Sequence, residues 1–477
     1  MAYETIELLI NGEWRKGDGG GQDIINPADE SVIGWCPHAS AEELDMALAA
    51  ADEGFKVWKN MTALARQKIM TKAADLMDER VDYIAECLTR EEGKPHGESK
   101  IEIGFVSDLT RWYGEEGKRS YGRLIPPRIP GARQMVVKEP IGPVAAFVAW
   151  NFPATNVIRK ISGALGAGCS IVIKPSEETP ATAVCLAKCF QDAGLPPGVI
   201  NMVFGVPDTV SRHILASPII KKLSFTGSVP VGKHLQKLAA DNMIRCTMEL
   251  GGHSPVVVFD DADLDKAMDM VAGFKFRNAG QVCISPTRFY IQENVYDKFV
   301  DGFTERAKAL KIGNGMDDGV FMGPLVADRR LAVMDDFVQD AKAAGAEIVT
   351  GGERMGNQGY FYAPTVMKDV PDAAKIMTEE PFGPLAPMQS FKSTDEVLDK
   401  ANSLPFGLAS YVFTTDANKA KTMEHGINAG MVGVNHPMVS MPETPFGGVN
   451  ESGYGSEGGI EGLEAYQRTK FMTEMGL

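Results

Sequence analysis

The chain has 477 residues, 44% of them hydrophobic and 23% charged, which gives room for two or three domains, each with its own core, at ordinary globular composition. Lysine and arginine number 48 against 63 acids, a net charge of −15, so a nucleic-acid partner is not expected. No run approaches the ~18 uninterrupted apolar residues of a membrane span, and the opening "MAYETIELLINGEW" lacks the basic and apolar regions of a secretory signal, so a cytoplasmic location is expected.

In chain order, the first 140 residues read as a short strand pair followed by long helical patterns. In "SAEELDMALAAADEGFKVWKN" apolar residues recur at i, i+3, i+4 after a Ser40 cap. "PVAAFVAW", "SIVIKP", "VINMVFG" and "KKLSFTG" then read as buried strands separated by helix-length segments, which predicts a parallel sheet with helices on its faces. After "PVVVF" the helix "DDADLDKAMDMVAGFKF" begins a second α/β alternation that runs through "AEIVTGG" and "ASYVFTTD". The expected division is therefore a Rossmann-like cofactor domain over 1–119 and 140–250 and an α/β catalytic domain over 251–447. A small β arm and tail would comprise 120–139 and 448–477, since extended, edge-rich segments are usually covered by another chain.

The cysteines, at 36, 87, 169, 185, 189, 246 and 283, are odd in number and include no C-x-x-C pair. Neither disulfides, structural zinc nor any other metal site is expected. The seven histidines are dispersed and read as surface or helix-end residues. "FTGSVPVG" places Gly227 and Gly232 where a strand enters a helix, a position at which free N–H groups attract phosphate. The spacing is not G-x-G-x-x-G, so a plain tight turn remains open. In "VIKPSEETP", Lys174 and Glu177 suit a ribose diol; the other reading is a solvated loop with an N-cap at Ser176 or Thr179. Cys283, in "FRNAGQVCISPT", can attack a carbonyl only as thiolate, and it then needs an oxyanion donor and a base. Asn151 in "WNFP" and Glu249 in "MELGG" could supply them. Singly, each has a second reading: a buried cysteine, a turn asparagine, a strand-end glutamate.

"WNFP", "KPSEETP", "FTGSVPVG", "MELGG", "GQVC", "EEPFGP", "LPFGL" and "PFGG" resemble, in order and separation, the motifs of the aldehyde dehydrogenase superfamily. The resemblance spans essentially the whole chain, and eight linked motifs are far more specific than one. It implies the aldehyde dehydrogenase fold and an enzyme in which Cys283 adds to an aldehyde to give a thiohemiacetal. Asn151, with the Cys283 backbone N–H, would hold the oxyanion; hydride loss to the nicotinamide would leave a thioester, and Glu249 would activate the hydrolytic water. It places the cofactor against Trp150, Lys174, Ser176, Glu177, Thr226, Gly227, Ser228, Gly232 and Leu250, with Glu380 on the nicotinamide ribose and Phe382 nearby. A carboxylate at Glu177 repels a 2′-phosphate, so NAD is expected over NADP.

Arg159 and Arg277 match the two arginines with which succinate-semialdehyde dehydrogenases grip the substrate carboxylate, bidentate recognition that suits a guanidinium. Ser440 and Phe446 would complete that pocket; the alternative for either arginine is a surface or intersubunit ion pair. The expected substrate is thus a carboxylated semialdehyde such as succinate semialdehyde, with 2-oxoglutarate semialdehyde or an aromatic aldehyde as alternatives. Three departures stand out: Ser285 replaces the second cysteine of some relatives, and Asn450 and Ser456 occupy places where basic residues are common. Competing classes are a cysteine acyltransferase or hydrolase, against which Lys174, Glu177 and Glu380 argue, and a coenzyme A-acylating dehydrogenase, against which Glu249 argues. The third is a structural protein reusing the fold, which would be expected to have lost Cys283 or Glu249. The resemblance also implies a homodimer or homotetramer.

Overall fold

The computed structural model describes residues 3–476. Among them no helix is long and apolar enough to cross a membrane. The N-terminal segment forms two hairpins, Leu8–Ile10 with Glu13–Arg15 and Gly21–Ile25 with Val32–Pro37. Four helices follow: Ala41–Asn60, Ala63–Glu79, Val81–Glu92 and His96–Glu116. The first starts where its cap predicts. Ser40 Oγ accepts from the Glu43 N–H at 3.2 Å, and the Glu43 carboxylate accepts from the Ser40 N–H at 2.9 Å, a reciprocal capping box.

The four apolar runs read as strands are strands: Val144–Phe147, Ile171–Lys174, Ile200–Met202 and Lys222–Gly227. With Arg245–Leu250 they form the parallel centre of an eight-stranded sheet, because a helix between each strand and the next returns the chain so that all five run in the same direction. Val144–Phe147 pairs with Ile171–Lys174 on one side and Lys222–Gly227 on the other, both parallel. The strand order therefore reverses beside Val144–Phe147, and the crevice beyond the carboxyl ends at such a point is where open α/β sheets bind ligands.

A seven-stranded sheet, parallel except at the edge strand Glu347–Thr350, is built from residues 254–434. Each large sheet has its own core, one dominated by residues 6–250 with Leu463 and Tyr466, the other by residues 256–446. The third, small sheet is antiparallel: Arg123–Ile125, Ala132–Pro140 and Gln467–Met475. Segment 448–477 divides among several partners. Val449–Asn450 pairs with Phe406–Gly407, Gly453–Tyr454 joins the edge of the eight-stranded sheet, and only Gln467–Met475 lies on the small sheet. One histidine departs from the dispersed surface pattern: His253 is fully enclosed and bonded to Thr287 and the Ile376 carbonyl.

Candidate active site

A cavity of about 490 Å³ opens at the strand-order reversal. Trp150 and Asn151 reach it from the end of Val144–Phe147, and Thr226, Gly227 and Ser228 from the end of Lys222–Gly227. Glu249 and Leu250 close the next strand. Across from them stand Cys283, Arg277, Glu380 and Phe382, and Ser440 and Phe446 come from the loop after Met431–Val434. Residues spread over some 300 positions of chain thus share one pocket.

Cys283 sits on the short loop between the turn Arg277–Gly280 and the strand Pro286–Gln292. Its side chain is half-buried and lines the cavity. Burial pushes the thiol up to about 12; Glu380 and Glu249 add to that, while Arg159 and Arg277 oppose it. The turn before it is left-handed at Asn278, Ala279 and Gly280, with φ of 47°, 51° and 72°. A Cβ at Gly280 would meet the Gly383 carbonyl oxygen at 2.2 Å, so glycine is required by space as well as by φ.

Asn151 is buried. One amide hydrogen goes to the Gln281 carbonyl at 3.1 Å, and its Oδ1 accepts from Asn156 at 3.3 Å. The second amide hydrogen has no partner among the described residues. Glu249 is also buried, and neither carboxyl oxygen has a hydrogen-bond partner. Burial first, then Glu457, hold it well above the usual carboxylate range, with Lys160 and Arg159 pulling the other way. That is the environment of a general base. Glu380 accepts from the Gly252 N–H at 3.2 Å, and burial raises it to about 8. Gly251 makes that approach feasible, since a Cβ there would lie 2.3 Å from Glu380 Oε2.

Lys174, Ser176, Glu177 and Gly232 do not line this cavity. The first three lie one strand away, where Lys174 is in register with Phe147. The solvated-loop reading fails there: Lys174, Ser176 and Glu177 are all buried. Lys174 Nζ pairs with Glu177 at 2.5 Å, and Glu177 also accepts from the Gly205 N–H at 3.0 Å. Ser176 bonds Glu178, and Thr179 is the N-cap residue but makes no side-chain cap bond. Gly232 packs against Leu250, where a Cβ would meet Leu250 Cδ2 at 2.5 Å. Ser228 caps Val229–Ala240 in extended conformation with no side-chain cap bond, so the N–H groups of Val229 and Val231, on either side of Pro230, stay free for a phosphate. Trp150 meets Phe382 edge-on at 5.6 Å. These residues fit a dinucleotide: a helix N-terminus for its pyrophosphate, and a carboxyl group on either side for its riboses.

Neither arginine is a surface ion-pair residue. Arg159 is buried, stacks on Phe446 at 4.1 Å and donates to Ser440 Oγ at 2.7 Å, while its Nη1 has no partner. Arg277 stacks on Phe274 at 4.1 Å and faces Phe152 at 5.7 Å; its Nε is likewise buried without a partner. The aromatic faces hold both guanidinium planes and leave N–H edges for an anion. Several site residues escaped the sequence reading. Lys160 pairs with Glu457 and donates to Thr226 Oγ1 at 2.7 Å, and its signal was two cations side by side in the apolar helix "NVIRKISGALGA". Phe152 lies inside "WNFP" but was given no role of its own, and Phe274 carried no signal beyond hydrophobicity.

The chain matches the family model described as "Aldehyde dehydrogenase family" over residues 14–472. It is 44% identical to 4-(hydroxymethyl)benzenesulfonate dehydrogenase TsaD1 of Comamonas testosteroni over 99% of this chain and 98% of that protein. It is 41% identical to the NADP(+) succinate-semialdehyde dehydrogenase GabD of Escherichia coli (strain K12), over 98% and 97%. The crystal structure of succinate-semialdehyde dehydrogenase from Burkholderia pseudomallei superposes with a TM-score of 0.98 at 38% identity, covering 100% of this chain and 98% of that one. With these full-length matches and the fold above, the chain belongs to the aldehyde dehydrogenase family.

Proposed function

We propose that this enzyme oxidises an anionic semialdehyde, such as succinate semialdehyde, to its acid with NAD as the hydride acceptor. The observation that carries the reading is the pair Arg159 and Arg277, both with unmatched buried N–H groups in the cavity that holds Cys283. Two fixed guanidinium groups bind the far anion, which sets the aldehyde carbon within reach of the sulfur. The Cys283 thiol passes its proton to solvent as its sulfur bonds the aldehyde carbon. Asn151 and the Cys283 backbone N–H hold the resulting oxyanion. When bound, the nicotinamide supplies the hydride acceptor. Glu249 then takes a proton from the water that attacks the Cys283 thioester, releasing the acid and the thiol.

Support for NAD rests on Glu177, whose carboxylate is fixed by Lys174 and the Gly205 N–H beside the strand end. A ribose diol can donate to it, whereas a 2′-phosphate of about −2 charge is repelled. A relative whose name carries NADP(+) makes the comparison informative. The protein is mixed with succinate semialdehyde and either cofactor, and reduced nicotinamide absorbance is followed. NAD should give the higher kcat/KM, Glu177→Ser should narrow the difference, and Cys283→Ala should abolish turnover. A preference for NADP removes the cofactor assignment.

A second substrate reading has its own support. Phe152 and Phe274 wall the cavity beside Arg277, and a relative is named for a sulfonated benzyl substrate. An aromatic aldehyde bearing an anion opposite the carbonyl fits the same charge pattern. Comparing 4-sulfobenzaldehyde with succinate semialdehyde by kcat/KM decides between the two. For assembly, the small antiparallel sheet is proposed as the contact between subunits of a dimer or tetramer.

A further inference from the structure

The turn that carries Glu380 and Phe382 is held by an arginine to which the reaction steps assign no role. Residues 379–384 link the short helix Lys375–Thr378 to the strand Leu385–Phe391. At Phe382 the backbone is left-handed, with φ of 46°, a conformation that a bulky side chain keeps only when its surroundings fix it. Packing fixes it from two sides. A Cβ at Gly383 would meet Met334 Sδ at 2.2 Å, and the Gly383 carbonyl oxygen is the atom that excludes a Cβ at Gly280. The turn is thus wedged between the helix Arg329–Ala344 and the turn that leads to Cys283.

Hydrogen bonds from Arg330 complete the hold. Its Nη2 donates to the Pro381 carbonyl at 2.6 Å and to the Phe382 carbonyl at 3.1 Å. These carbonyls belong to the peptide groups on either side of Phe382, whose relative orientation is what φ and ψ of that residue describe. Arg330 is itself set by the first turn of its helix. Asp328 caps that turn by accepting from the Arg329 N–H at 2.6 Å, and Arg329 pairs with Glu178 at 2.5 Å, on the loop that follows Ile171–Lys174. Arg330 lines the cavity, yet its Nε is buried without a partner and its Nη1 makes no bond, so its donors serve this turn alone. Its charge also reaches Glu380: burial raises that carboxyl, and the Gly252 N–H, Arg330 and Lys275 oppose the rise.

We propose that Arg330 is a positioning residue for the cofactor, which clamps the peptide groups on either side of Phe382 and so presents Glu380 and Phe382 to the nicotinamide half of the dinucleotide. Its role rests on the reading that puts the nicotinamide ribose against Glu380. The adenosine half depends on other groups. Lys174 and Glu177 are fixed by each other and by the Gly205 N–H, and neither bonds Arg330 or its turn. Loss of the clamp therefore weakens one half of the cofactor and spares the other.

The test is binding to the full-length protein, followed for NADH by its fluorescence and for ADP, which carries the adenosine half alone, by calorimetry. Arg330→Met keeps the length of the side chain and removes every donor. It should raise the Kd for NADH about tenfold while the Kd for ADP stays within about twofold. Arg330→Lys, whose ammonium still donates to the carbonyls, should bind NADH within about threefold of the wild type. In steady state Arg330→Met should raise the KM for NAD and leave the KM for succinate semialdehyde unchanged. Where Arg330→Met does not fold, Arg330→Gln, with a shorter and uncharged side chain, should show the same split between NADH and ADP. NADH binding equal to the wild type, or an equal loss for NADH and ADP, overturns the proposal. A rise confined to the KM for the semialdehyde overturns it too, and makes Arg330 a third donor to the substrate anion. A wild-type protein that binds ADP but not NADH would instead refute the reading of Glu380, and the role of Arg330 with it.

Discussion

At the scale of single residues, the site works by withholding partners. Glu249 is buried with both oxygens unbonded and is held well above the usual carboxylate range. A general base acts only when ionised, so under the role proposed for Glu249 the steady-state rate should rise with pH as it loses its proton, in a profile taken at saturating substrate. Glu249→Gln should lower kcat by about 100-fold or more yet still release close to one equivalent of reduced nicotinamide per site in a rapid-mixing burst, because the thioester still forms. A variant without that burst would place Glu249 before hydride loss instead. In the proposed anion clamp Arg277→Ala would remove a charge-assisted contact, so the KM for succinate semialdehyde should rise about tenfold or more, with far less change for an uncharged aldehyde of similar length. Equal changes for both substrates would remove the anion clamp.

At the scale of elements, the helix Pro153–Ala167 shows how the scaffold presents these residues. Proline at its first turn sets the start. Glu102 then accepts from the N–H groups of Ala154 and Thr155 at 3.0 and 2.9 Å, doing the work of a cap from another helix. Lys94 balances that carboxylate, so Lys94→Met leaves a buried charge unpaired and should cost about 3–5 kcal/mol of stability, read as a lowered unfolding midpoint in denaturant. The double variant Lys94→Met, Glu102→Gln should recover part of the loss. Full recovery of stability without recovery of kcat would separate the structural role of Lys94 from its bond to the Asn151 carbonyl.

For the whole molecule, the small antiparallel sheet is the part least served by its own chain. Gln467–Met475 pairs with Ala132–Pro140 along nine positions, yet Tyr121, Leu124, Phe471 and Met475 remain more than half exposed. Apolar surface on an edge-rich sheet is covered by association in stable proteins. Sedimentation should therefore give a dimer or larger, and Leu124→Glu with Phe471→Glu should shift it toward the single chain while circular dichroism stays unchanged. A wild-type protein that sediments as a single chain would refute this contact.

The alternation of short apolar runs with helical periods was enough to anticipate the parallel strands, because a strand buried on both faces has no choice but to be apolar throughout. The Ser40 cap was equally legible, since both of its partners lie within three residues. Linked motifs likewise pointed to Cys283, Asn151, Glu249 and the two arginines. Only the tertiary structure placed Arg159 on Phe446 and under Ser440, 281 positions away. Only it could divide residues 449–475 among several sheets, or show that Lys94 and Asn278 converge on the Asn151 carbonyl. The physical reason is the range of the interactions. Backbone propensity and capping act over a few residues and leave a local signature, whereas desolvation and buried hydrogen bonds depend on which distant side chains the sheet order brings together.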